Sequence, residues 1–264
     1  MFVILNKKLT KLKDAKVSID DRGFKFGDGI YETIRTIDGK PWLLAEHLRR
    51  LRQSAKLLKM KIPLNNQEFK HHIERLIKKN RYKETRIRIT VSRSGTSLIE
   101  GTKLKVVKAP NGVSAITFEG ERSMPLAKST NMMPSVLARI EAEKKKAYEA
   151  LLIDRNGYLT EGAYSNVFLA KKGILYTPKD DILEGTTRDY IIKIWPRTKL
   201  TKIKAKDIHT YDEIFITSST NGAIPVVKVD GRPINNGKIG KLTKQIIKLL
   251  PYGTKKSHKK NQTR

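Results

Sequence analysis

The spacing of apolar residues changes period several times along this chain, and each change marks an element. Leu44, Leu48, Leu51, Ala55 and Leu58 recur at the three- and four-residue intervals of an amphipathic helix, and Phe69, Ile73 and Leu76 do the same. Over TRIRITVS the period falls to two. Ile87, Ile89 and Val91 alternate there with Arg86, Arg88 and Thr90, so a strand turns its apolar residues to one side and two neighbouring arginines to the other. FVILN and KVSI near the N-terminus read as short strands. IRTI and KPWLL flank Asp38-Gly39, a pair that reaches positive φ easily and so closes a tight two-residue hairpin.

A stretch over 109–127 is richer in Gly, Pro and Ser and holds one further strand, GVSAITF. Beyond it the pattern predicts a helix over 133–147, then strands at EALLID, YLTEG, SNVFLAK and ILYTP, with a turn at Asn156-Gly157. A helix at TTRDYIIKIW follows, then strands at IFITSS and PVVKV, a turn at Asp230-Gly231 and a last helix over 238–250. Strands interleaved with few helices predict an α+β protein of two sub-domains, not a repeating βαβ sheet. The boundaries read as 1–120 and 128–252, joined by a linker at 121–127, with a disordered basic tail at 253–264.

Composition narrows the class. At 264 residues with 38% hydrophobic and 31% charged positions, the chain has a folded, soluble balance. The absence of cysteine excludes disulfides and thiolate chemistry. No apolar stretch approaches the roughly 18 residues of a membrane span, and MFVILNKKLT lacks the features of a leader, so a cytoplasmic protein is expected. The net charge of +29 raises a basic nucleic-acid-binding module as the non-enzyme alternative. Lysines and arginines are scattered, however, with one dense run, KKSHKK, in the tail, and no zinc-finger, aromatic RNA-binding or KH-type pattern accompanies them. A solvated lysine-rich surface without specific nucleic-acid binding is the simpler reading.

Local chemistry alone leaves choices open. Thr186 with Asp189 three residues on, after Gly185, has the form of a capping box; such a helix start suits a phosphate, while the local pattern favours an ordinary capped helix. Glu161 lies among apolar strand segments, where an unpaired carboxylate is costly, unless it sits in an exposed turn. Lys128 is one lysine among many.

Taken together and in order, DRGFKFGDGIYETIRTIDG, HLRRLRQSA, KSTN, SVLARIEAEKKKAYEALLIDRNGYLTEGAYSNVF, ILYTP, LEGTTRD and FITSSTNGAIPVVKVDG resemble the class IV enzymes that depend on pyridoxal 5'-phosphate (PLP). That family comprises branched-chain aminotransferases, D-amino-acid aminotransferases and aminodeoxychorismate lyase. The resemblance implies their two-domain fold type IV, with PLP in the interdomain cleft, and a homodimer. It implies that Lys128 carries the cofactor as a Schiff base and moves the proton at Cα, and that Glu161 faces the pyridine nitrogen. Arg50, Thr186, Thr187 and Thr220 match the phosphate ligands. Two departures stand out: Met133 occupies a position where branched-chain enzymes usually have tyrosine, and RSGTSLIEGTK lacks the Arg-x-His of the best-known D-amino-acid enzymes. Lys25, Tyr31, Arg35 and Arg88 remain as candidate substrate contacts. The expected activity is transfer of an amino group between an amino acid and 2-oxoglutarate. A branched-chain L-amino acid is favoured as donor, with D-amino-acid transamination and the lyase reaction as alternatives.

Overall fold

The computed structural model describes residues 1–252; the expectation for the tail at 253–264 lies outside the described residues. The chain divides into two compact units, the first made of Met1–Val106 with Arg122–Met133, the second of Val107–Glu121 with everything from Pro134 on.

The first unit is built on six antiparallel strands. In chain order they are β1 (Phe2–Leu5), β2 (Lys8–Lys11), β3 (Gly29–Ile37), β4 (Lys40–Pro41), β5 (Thr85–Ser92) and β6 (Ser97–Lys103). Their spatial order is β2-β1-β6-β5-β3-β4. A short helix, α1 (Arg22–Phe26), precedes β3, and two longer ones, α2 (Leu44–Leu57) and α3 (Asn66–Asn80), lie between β4 and β5. The apolar stripes behave as the periodicity requires. Leu48, Leu51 and Ala55 of α2 and Phe69, Ile73 and Leu76 of α3 share one core with Ile30, Ile34, Ile87, Ile89, Val91 and Ile99 of the sheet. Each fully buried side chain of this size contributes about 1.5–3 kcal/mol. Arg86 and Arg88 project from the other face of β5, as alternation demands. The hairpin at Asp38-Gly39 forms with φ of 50° and 74°, the two positive values of a primed turn.

One local expectation is corrected. KVSI is not a strand: residues 15–18 have no regular structure, and Val17 and Ile19 are exposed. The strand that pairs with β1 on the side away from β6 is Lys8–Lys11, reached through a turn at Asn6-Lys7 with φ of 48° and 68°. Two alternating apolar residues do not by themselves make a strand.

The second unit holds a larger, mixed sheet. Its strands are β7 (Val113–Glu119), β8 (Glu149–Ile153), β9 (Tyr158–Gly162), β10 (Asn166–Lys171), β11 (Ile174–Pro178), β12 (Thr198–Thr201), β13 (Ile203–Lys204), β14 (Glu213–Ser218), β15 (Gly222–Val229) and β16 (Arg232–Pro233). The order is β12-β11-β10-β14-β15-β7-β8-β9-β13, with β16 on β15. Its helices are α4 (Met133–Lys144), α5 (Thr186–Ile194) and α6 (Lys241–Leu249). The expected boundary at 121–127 therefore changes. β7 pairs in parallel with both β15 and β8, which ties 107–121 to the second unit. Residues 122–133 return to the first, where Tyr31 donates its N–H to the Lys128 carbonyl at 2.9 Å and Thr130 donates to Gly29 at 2.8 Å. Periodicity identifies a strand but not the sheet it joins.

Candidate active site

In the first unit the site residues come from two elements that face each other in the core. On β3, alternation puts Ile30, Glu32, Ile34 and Thr36 on the helix-covered face and Tyr31, Thr33 and Arg35 on the opposite one. Glu32 is thus a carboxylate in an apolar row, fully buried. Beside the apolar stripe of α2 runs a second, polar stripe, His47, Arg50 and Ser54, three and four residues apart and also buried. Arg50 meets Glu32 through two bonds, Nε to Oε1 at 2.7 Å and Nη2 to Oε2 at 2.8 Å. His47 Nδ1 lies 2.7 Å from the same Oε2. Burial holds the Glu32 carboxyl back from ionising, but Arg50 and His47 outweigh that and keep it well below the usual carboxylate range. Burial also pushes His47 down against the pull of Glu32, so a neutral ring donates its Nδ1–H to the carboxylate.

Ser54, next on the polar stripe, accepts the backbone N–H of Lys128 at 3.0 Å. With the bond from Tyr31 and a bridge between Ile30 and Ser129, the lysine's main chain is pinned to the edge of β3. Its side chain reaches the opposite face of that strand. Nζ stands 4.6 Å from the centroid of the Tyr31 ring, and the Arg88 guanidinium lies 4.1 Å from the same ring. Tyr31 and Arg88 are therefore brought to Lys128. Arg35 lies further along this face, directly across from Arg86, and its Nε donates to the Thr36 carbonyl at 3.4 Å. Lys25 is not drawn in: on exposed α1, it pairs with Asp20 at 2.5 Å.

In the second unit Glu161 is the penultimate residue of β9 and is buried. Its Oε2 accepts the Leu183 N–H at 3.1 Å and faces the Asn166 amide at 3.5 Å, while that amide donates to the Leu183 carbonyl at 2.8 Å. The exposed-turn alternative for Glu161 thus gives way to a buried carboxylate. Asn166 also packs against the start of α5: a Cβ on Gly185 would collide with its Oδ1, so only glycine allows this approach. The capping box expected from Thr186 and Asp189 does not form. Gly185 is the N-cap, with no side-chain hydrogen bond, and Thr186 is the first helical residue. This leaves the first N–H groups of the helix without a side-chain cap. Thr187 Oγ1, buried at the same turn, has no hydrogen-bond partner among the described residues. Thr186 Oγ1 lies 3.5 Å from Ser219 Oγ, and Thr220 Oγ1 lies 3.5 Å from Ser218 Oγ. Among the described residues no cluster of three or more His, Cys, Asp or Glu could hold a metal, and no helix is long and apolar enough to cross a membrane.

Glu32, His47, Ser54, Asn166 and Ser219 were not singled out from the sequence. Glu32 had a visible signal, a charge between Ile30 and Ile34 in a strand with an apolar face. His47 and Arg50 flank the apolar stripe at helical spacing. Ser54, Asn166 and Ser219 had none, because each matters only through what folding brings to it.

A lysine held by its main chain, a buried arginine–carboxylate pair and a helix start without a side-chain cap make up the candidate site, and similarity to known proteins gives the class of enzyme. The amino-transferase class IV family matches residues 29–229. The chain is 35% identical over 270 residues to a putative branched-chain-amino-acid aminotransferase of Methanocaldococcus jannaschii, covering 93% of this chain and 94% of the relative. It is 34% identical to a D-alanine aminotransferase of Bacillus licheniformis, with the same coverages of 93% and 94%. Among solved structures, the branched-chain aminotransferase of Thermoproteus uzoniensis with norvaline superposes with a TM-score of 0.86 at 26% identity, covering 93% of this chain and 92% of that one. The chain belongs to the class IV aminotransferases and has their fold type IV architecture.

Proposed function

We propose that this aminotransferase binds PLP through Lys128 and exchanges an amino group between a branched-chain L-amino acid and 2-oxoglutarate. The observation that carries the cofactor assignment is Thr187: a buried hydroxyl without a protein partner among the described residues, at the start of a helix whose N-cap offers no side chain. Such a hydroxyl costs about 1–3 kcal/mol if left unmet, and a phosphate meets it together with the N–H groups of the helix start. The residues fit the group. Thr186, Thr187 and Ser219, with Thr220 and the cationic Arg50, would hold the phosphate, and Glu161 would stand at the ring nitrogen and keep its proton in place. PLP supplies an electron sink that stabilises the carbanion formed at the substrate Cα. The Lys128 amine removes and returns the proton at that Cα, and Tyr31 beneath it limits where the amine can swing.

The choice of 2-oxoglutarate is supported by the face of β3 and β5 that carries Tyr31. Arg35 and Arg86 pair across the two strands there, and Arg88 lies two residues further along β5. A dicarboxylate has a second carboxyl group to offer these guanidinium groups. A homodimer belongs to the same reading, supported by the exposed apolar run Met133, Val136, Leu137 and Ile140 along α4. The D-amino-acid reading is kept because a D-alanine aminotransferase stands almost level with the branched-chain relative, 34% against 35% identical. A half-reaction panel of L- and D-amino acids, read from the cofactor's absorbance, decides between them: conversion by L-leucine, L-isoleucine and L-valine but not by D-alanine is expected, and the reverse refutes the branched-chain assignment. Borohydride reduction followed by peptide mass spectrometry should place the pyridoxyl group on Lys128, and an adduct on another lysine overturns that role.

A further inference from the structure

Glu32 is fully buried on a strand whose neighbouring core positions are Ile30 and Ile34, and the chemistry above does not use it. Stability does not account for it either, since well-packed apolar residues of similar volume commonly replace a buried ion pair at no loss. Its geometry is specific. Bonds of 2.7 and 2.8 Å from Nε and Nη2 of Arg50 engage both carboxylate oxygens, which fixes the plane of the guanidinium and the direction of its other edge. His47, one turn earlier on α2, bonds Oε2 at 2.7 Å and stops the carboxylate from turning. An arginine side chain otherwise carries rotamer entropy that a ligand must overcome. The same stripe of α2 holds the Lys128 main chain through Ser54 at 3.0 Å, so one helix face sets the arginine and the lysine together.

We infer that Glu32, held by His47, is a positioning residue that orients Arg50 as a phosphate ligand, so that the first unit distinguishes a phosphorylated pyridoxal from an unphosphorylated one. This rests on the PLP reading. The test is equilibrium binding of PLP and of pyridoxal to apoenzyme, followed by absorbance, for the wild type, Glu32→Gln and Glu32→Asp. The amide keeps an acceptor for His47 but loses the bidentate charge pair; the shorter acid keeps the charge but moves it. Expected is a rise of about tenfold to a hundredfold in the PLP Kd for Glu32→Gln, the size of one or two charge-assisted hydrogen bonds, with a smaller rise for Glu32→Asp. Pyridoxal affinity should stay unchanged in both, a split that a general weakening of the fold does not produce. If Glu32→Gln does not fold by circular dichroism, Glu32→Asp decides alone. A wild type that prefers PLP while the variants keep the same preference overturns the inference; a wild type that binds neither compound overturns the PLP reading instead.

Discussion

Replacing Arg50 by methionine leaves Glu32 buried without its cation, and the consequence for stability can be worked through by pH. In the wild type the folded-state pKa of Glu32 is depressed by Arg50, ahead of His47. Its contribution to stability is therefore present above the ordinary carboxylate pKa of about 4.3 and is lost only as pH falls through the depressed value. In Arg50→Met the sign reverses: burial dominates, the folded pKa rises, and the folded state must hold a proton that the unfolded chain releases. From about pH 4.3 to neutrality that penalty grows by about 1.4 kcal/mol per pH unit, reaching about 3.7 kcal/mol at pH 7. This agrees with the roughly 3–5 kcal/mol lost when one member of a buried pair is removed. The second variant, Arg50→Met with Glu32→Gln, removes both charges yet leaves an acceptor for His47 Nδ1, and should recover about 2–3 kcal/mol at pH 7. Urea unfolding of the apoproteins at pH 5, 6 and 7 measures both effects. The deficit of Arg50→Met should grow with pH, and the double variant should show little such growth. A deficit that is flat with pH, or a double variant no more stable than the single one, would refute the reasoning.

Three further outcomes are expected. Glu161→Gln should retain PLP, because the phosphate ligands and Lys128 are untouched, while the single-turnover rate with the best amino donor falls about 100-fold, or about 2.7 kcal/mol; a near-wild-type rate would remove Glu161 from the ring nitrogen. Burial raises the pKa of Glu149, against the bonds from Ser165 and its own strand; a raised carboxyl favours the folded state below the unfolded pKa and loses that advantage as pH rises, so Glu149→Gln should gain Tm relative to wild type between pH 4 and 8, and a pH-independent difference would show that Glu149 ionises freely. The +29 charge should give nucleic-acid binding that is weak, sequence-independent and steeply reduced by salt, and sequence-selective binding at physiological salt would contradict the lysine-rich-surface reading.

Periodicity was sufficient for most elements of this protein. Leu48, Leu51 and Ala55 against Ile87, Ile89 and Val91 make a core that could be drawn from spacing, because burying one face of a helix or strand is a local requirement written residue by residue. The ordered motifs around Lys128, Glu161 and Thr186 likewise carried the family, which the match over residues 29–229 bears out. Tertiary structure alone decided the rest. β7 joins the second unit because its N–H and C=O groups pair with β8 and β15, distant in sequence, and Lys128 joins the first because Tyr31 and Ser54 hold its backbone. KVSI pairs with no strand, and the cap of α5 falls to Gly185, which lies against Asn166. The Glu32–His47–Arg50 cluster belongs to the same class: each residue is an ordinary polar one in the sequence, and only a helix laid on a strand puts the carboxylate out of water, where its two partners determine its ionisation.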